Sequence, residues 1–107
     1  MWYTVRLLSK AVVNDKTKRS LFDESFVVIK ASSYDQAVKK ARECGKRSET
    51  AYRSNYGHDV RWKFLSVVEM KEVIGGSIGD GTEVYSRLFR SSKPNPLKAV
   101  PKGSLDR

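Results

Sequence analysis

One cysteine, one histidine and three prolines are all that this 107-residue chain contains of those residue types, and every proline lies at or beyond position 94. A lone cysteine, Cys44, allows no intramolecular disulfide and suits a reducing compartment. One His and one Cys supply no recognised metal-ligand spacing, so no metal is expected. The longest apolar run in the strand-like regions, Phe26 to Ile29, falls far short of the roughly 20 residues of a membrane-spanning helix, and no membrane association is expected. The start, Met1-Trp2-Tyr3-Thr4-Val5-Arg6, lacks the basic opening and long apolar stretch of a secretory signal, so a cytoplasmic location is expected. The glycine-rich stretch 75–81 lacks the Gly-Lys-Ser/Thr ending of a phosphate loop and is followed by no helix that could hold an anion. It reads as a hairpin connection, and no cofactor is expected.

Charge is what the chain has in excess. The formal net charge is +9, but residues 87–107 alone hold six Lys/Arg against one Asp. That segment has no apolar periodicity and cannot bury enough surface to offset its ordering entropy. The expected organisation is therefore a single domain over residues 1–90 and a basic, proline-containing disordered tail over 91–107.

Residues 2–8 alternate with the period of a strand, Tyr3, Val5 and Leu7 lying on one face. The polar stretch Asn14-Asp15 and Lys16 to Ser20 suggests a hairpin loop. A second strand from about Leu21 to Ala31 is apolar on both faces at its end, which predicts a central place in the sheet. Ser33 and Gln36 have the spacing of a helix capping box. Tyr34, Ala37, Val38, Ala41, Gly45, Ser48 and Tyr52 then share one helical face, small in the middle so that the helix can approach a sheet closely. The helix is predicted to end before Asn55-Tyr56-Gly57, with the glycine as its left-handed cap. Strand alternation returns from Val60 to about Ile74 and again from Thr82 to Phe89. The fold class expected is α+β, an antiparallel four-stranded sheet with one helix on one face, in the order β-β-α-β-β. Tyr3, Val5, Ala37, Ala41, Trp62, Phe64 and Val84 are the expected core.

One helix covers one face of such a sheet, yet Leu65 and Val67 fall on the other. Val27 and Ile29, or else Phe26 and Val28, join them there according to register. A contiguous apolar patch of this kind marks a binding surface, rimmed by Arg61, Lys63, Glu69 and Lys71. A bulge in the long strand is the alternative, and it would return Leu65 and Val67 to the core. The patch points to a protein partner or a homodimer, and a non-enzymatic binding or interaction protein is the expected function.

Two alternatives have their own residues. Lys39, Arg42, Lys46 and Arg53 form a basic stripe opposite the apolar helix face, and with Lys93, Lys98 and Lys102 of the tail they are candidate contacts for nonspecific nucleic-acid binding. Against that, Asp35–Lys39, Glu43–Arg47 and Glu49–Arg53 are acid-before-base pairs that would neutralise half of the helix's basic groups. Glu83, Tyr85 and Arg87 share one strand face and, beside Trp2, are the candidate small-molecule or enzyme site. A cross-strand ion pair with a packed Tyr is the plainer reading of those three. No catalytic residue is assigned. His58 next to Asp59 reads as a surface histidine of a turn, because sequence neighbours point apart and no nucleophile accompanies them. Cys44 reads as a partly buried structural residue.

The ordered set Met1-Trp2-Tyr3, Glu24-Ser25 before an apolar strand, Asn55-Tyr56-Gly57, Trp62-Lys63-Phe64 and Asp80-Gly81-Thr82-Glu83-Val84-Tyr85-Ser86-Arg87 resembles a bacterial family catalogued as domain of unknown function 4288. The resemblance covers about residues 2–90. The segment from Ser91 and the extended Gly75–Gly79 loop depart from it. It implies a small bacterial α+β protein and brings with it no activity, cofactor or catalytic residue.

Overall fold

The alternation that starts at Trp2 persists for twelve residues, so that β1 spans Trp2–Val13. The structure, a computed structural model, describes residues 1–14 and 20–101; most of the hairpin loop expected after β1 lies outside them. β2 (Phe22–Lys30), α1 (Tyr34–Arg47), β3 (Thr50–Arg53) and β4 (Asp59–Glu72) follow. The strands pair antiparallel in the order β2-β1-β4-β3. The α+β class and the β-β-α-β-β order expected from the sequence are those of the structure.

The identity of two elements differs from expectation. The helix stops at Arg47, not near Ser54, because Thr50 and Tyr52 pair with Trp62 and Val60 of β4. The Glu49 carboxylate accepts the Phe64 N–H at 2.8 Å, fixing the chain as it leaves the helix. Tyr52, assigned by spacing to the helical stripe, is thus a strand residue whose period of two coincides there with a helical step. Gly57 does adopt a left-handed φ of 81°, but in a hairpin turn: its N–H bonds to the Ser54 carbonyl at 3.0 Å. Residues 82–89 form no strand.

Ser33 caps the helix as expected, its hydroxyl accepting the Gln36 N–H at 3.1 Å. Gln36 reaches back one residue further than a capping box requires, to the N–H of Ser32 at 2.6 Å. The helix buries Ala37, Ala41 and Gly45. Against them lie Tyr3, Val5, Leu7, Ala31 and Phe64, with Val27, Ile29, Cys44, Val67 and Met70 at the margin. Burial, and after it the nearby Glu72 carboxylate, raise the Tyr3 phenol above its ordinary pKa and keep it neutral. Trp62 is only half-buried and Val84 is exposed, so neither belongs to this core. Trp62 lies on the same sheet face as Phe64, opposite Ala11, but past the helix's last buried residue.

Two register shifts between β1 and β4 decide the faces. Arg6 pairs with Glu69 but Leu7 with Val67, and Leu8 pairs with Ser66 but Ser9 with Phe64. Val68 and Leu65 are the extra residues, and each bulge exchanges inward and outward positions beyond it. Val67 is therefore carried to the helix side, where it packs against the core, correcting the expectation that it shares the open face. Leu65 sits at a bulge and stays exposed.

β2 is an edge strand, not a central one. Both of its faces are apolar for a different reason. Val27 and Ile29 pair with Val5 and Tyr3 on the helix side, whereas Phe26 meets Tyr85 on the other, their rings 5.0 Å apart. Lys71 Nζ lies 5.2 Å from the Tyr85 ring and donates to the Ser86 carbonyl at 2.9 Å. The segment expected as a fourth strand thus crosses the open face as a strap. Thr4 and Val73 are buried although they belong to that face.

Candidate functional site

The outer edge of β2 is the least protected part of the sheet, and its chemistry follows from the hydrogen-bond ladder. Ala31 and Met1 exchange bonds at both ends, Ala31 N–H to the Met1 carbonyl at 2.9 Å and the Met1 amino group to the Ala31 carbonyl at 3.0 Å. Ala11 N–H bonds to the Leu21 carbonyl. In an antiparallel ladder such bonding residues alternate, so the odd residues of β2 face β1. The N–H and C=O groups of Phe22, Glu24, Phe26, Val28 and Lys30 point outward. Their side chains share the open face, where Phe22, Phe26 and Val28 are 50, 48 and 46% exposed.

The other two edges are blunted. β3 has only four residues, too few for extended pairing, and the free half of β4 carries both bulges and has its Phe64 N–H occupied by Glu49. β2 has nine residues, unbroken register, no proline and charge only toward its ends. Natural sheets protect edges with prolines, bulges and charge; β2 has neither of the first two, and its charge, with the Lys40 ammonium 2.7 Å from the Lys30 carbonyl, is confined to the ends.

Beside this edge the open face is polar. Arg6 lies between Glu24 at 3.6 Å and Glu69 at 4.0 Å, and Glu69 reaches Lys71 at 3.8 Å. The Arg6 Nε and Glu69 Oε1 atoms face each other too far apart for a hydrogen bond, and neither has another partner. The Thr4 hydroxyl beneath the strap is also without one. Tyr85→Ala should cost about 1–2 kcal/mol by removing the ring contacts with Phe26 and Lys71. Amide exchange should accelerate within residues 82–89; unaltered exchange there would show that Tyr85 does not hold the strap.

The structure distributes the other candidates widely. Arg61 and Lys63 point to the open face, while Val67 does not. Lys39, Arg42 and Lys46 are exposed along α1, but Arg53 belongs to β3 and pairs with Asp59 at 3.3 Å. Among the described residues neither Asp35–Lys39 nor Glu43–Arg47 closes to an ion pair, and Glu49 is turned to Phe64. Lys93 and Lys98 lie in chain without helix or strand. Lys102 is outside the described residues.

Glu83 and Tyr85 line an open cleft of about 550 Å³ with Lys71, Glu72 and Ser86. Trp2 and Arg87 are not part of it: Trp2 lies under Lys30 and Arg87 stacks on Phe89. His58 Nδ1 is 3.3 Å from Asn14 Oδ1, while its neighbour Asp59 is bound to Arg53. A second cleft, about 410 Å³, opens beyond the helix end between Leu21, Tyr52, Tyr56, Val60 and Trp62. Sequence reasoning missed it because the helix was drawn over Tyr52. Phe22 was missed as well. Its place in the even-numbered set with Phe26 and Val28 was the available signal.

Among the described residues no group of three His, Cys, Asp or Glu is placed to hold a metal ion, and no helix is long and apolar enough to cross a membrane. The fold and surface define a small α+β protein whose antiparallel sheet is helix-covered on one side, strapped on the other, and open along one edge. Within that class, the chain belongs to the family described as domain of unknown function DUF4288, whose model matches residues 2–86. No curated protein and no solved structure matches the chain. The family match takes in Tyr85 of the strap and stops before the basic residues that follow.

Proposed function

We propose that this chain is a non-enzymatic protein-interaction module of the cytoplasm that binds a partner strand along the outer edge of β2. The observation that carries the reading is the edge itself: nine residues of unbulged strand with outward backbone groups and half-exposed Phe22, Phe26 and Val28. Strand addition at such an edge takes affinity from main-chain hydrogen bonds and specificity from alternate side chains. Val28→Pro removes one outward N–H without touching the ladder to β1, a position where an edge strand tolerates proline. Affinity capture from the native host is expected to retain a protein on the wild-type chain that is lost on Val28→Pro. Equal retention by the two would place the contact elsewhere.

Nucleic-acid binding is the second reading, favoured by the exposed Lys39, Arg42 and Lys46, with the expected Asp35–Lys39 ion pair not formed. It would be indifferent to sequence and fall steeply with salt, each lost phosphate contact flattening the log–log slope by about 0.7–0.9. The triple change of these residues to Glu should abolish oligonucleotide binding. Unchanged binding by that variant would remove the helix from the reading.

A further inference from the structure

We infer that the strand added at the β2 edge is β2 of a second copy of this chain, joined antiparallel so that two four-stranded sheets become one. The inference rests on the edge-binding reading above and names its partner. What selects a second copy is that the strand is complementary to itself in one register.

Only residues with outward N–H and C=O groups can exchange hydrogen bonds across the new junction, which restricts pairing to the even set Phe22, Glu24, Phe26, Val28 and Lys30. Placing the two-fold axis at Val27 sets Glu24 opposite Lys30 of the other copy and Phe26 opposite its Val28. The axis repeats both pairs, giving two ion pairs and two aromatic–aliphatic pairs on the open face. On the helix side the same axis brings Val27 against Val27, a contact between residues already at the core margin. Each of these cross-strand pairings is a favourable type. A two-fold axis uses one patch twice and closes, so the assembly stops at a dimer.

Two neighbouring features leave this arrangement open and a third must share it: the Lys40 ammonium donates to the Lys30 carbonyl at 2.7 Å, taking one of that oxygen's two lone pairs. Tyr85 covers Phe26 from the face and not from the edge, and among the described residues the only hydrogen bond between two main-chain groups in the strap and its flank is Thr82 to Gly79. Glu24 is shared with Arg6 at 3.6 Å, a distance that leaves a carboxylate oxygen available to a lysine.

The test is a charge exchange on the full chain. Sedimentation at micromolar concentration should give twice the 12.2 kDa chain mass. Lys30→Glu alone places Glu opposite Glu24, and Glu24→Lys alone places Lys opposite Lys30. Each should weaken self-association about tenfold or more, since like charges lie directly opposed. An equimolar mixture of these two variants should dimerise again, because both junction pairs then become Lys–Glu. No effect of either residue within its own chain can produce that recovery. Val28→Pro should also dissociate the dimer, and the Phe26 and Val28 amides should be protected from exchange in the wild-type dimer only.

A wild-type chain that stays monomeric would overturn the second-copy inference, while the edge-binding reading would still stand or fall by Val28→Pro in the capture experiment. A dimer that survives Val28→Pro and both charge reversals would place the self-contact off this edge and also overturn the inference. Dimerisation of the wild type without recovery in the mixed variants would overturn the stated register.

Discussion

Phe64→Ala is expected to lower the unfolding free energy by about 3–5 kcal/mol, the cost of truncating a buried aromatic side chain. That is a large part of the roughly 5–15 kcal/mol by which a domain is ordinarily stable. Phe64 is 7% exposed, lies directly beneath Gly45, and has its N–H bonded to Glu49. Its ring therefore joins the central strand pair to the last turn of the helix and to the chain leaving it. Trp62, two residues earlier on the same face, has no helix above it and should cost less when truncated, despite its greater size. Urea melts of the two variants compare them directly. A greater loss for Trp62→Ala would mean that the packed region extends past the helix end.

The contrast between those two aromatics shows what the sequence could and could not express. Period-two alternation located β1, β2 and β4, and the Ser33–Gln36 spacing located the helix start, because each is a local property of a few adjacent residues. Where the helix ends was not local. Ser48 and Tyr52 continue the helical stripe, and only the pairing of Thr50 and Tyr52 with Trp62 and Val60 turns them into a strand. That pairing also removed the cover from Trp62 and opened the aromatic cleft.

The open face was legible in outline and wrong in its occupants for a similar reason. Alternation alone places Leu65 and Val67 together on the uncovered side. Two bulges, at Val68 and Leu65, send Val67 inward, and nothing in the residue types of β4 marks either position. The expected second apolar layer does exist in part within the chain, as Tyr85 over Phe26. What remains uncovered is shifted to β2, where Phe22 and Val28 extend beyond the strap. The candidate surface thus moved from a sheet face to a sheet edge, and a free edge is a matter of strand order, which residue patterns do not state.

Gly45→Ala tests the closest contact in the fold, and two effects of opposite sign meet there. Alanine is favoured over glycine within a helix by about 0.8–1.0 kcal/mol. A β-carbon at position 45 would lie 2.8 Å from Phe64 Cγ and nearer still to Cδ1, well inside the roughly 3.5–4.0 Å at which carbon atoms attract. The obstructing atoms belong to a buried ring on a strand paired with β1 on one side and held by Glu49 on the other, so relief requires the helix or the ring to move. Overpacking of this kind costs about 1–3 kcal/mol and occasionally more, and we expect it to exceed the propensity gain. Each kcal/mol of net loss should lower the melting midpoint by about 4–8 °C in a domain of this size. Phe64→Ala, which removes every ring atom that the new methyl group meets, supplies the decisive comparison. In that background Gly45→Ala should be far less harmful, with a coupling of about 1 kcal/mol or more between the two positions. Strict additivity of the two changes, or a Gly45→Ala single variant more stable than the wild type, would show that helix and ring are not in contact as described. The small middle of the helical stripe would then need another explanation than close approach to the sheet.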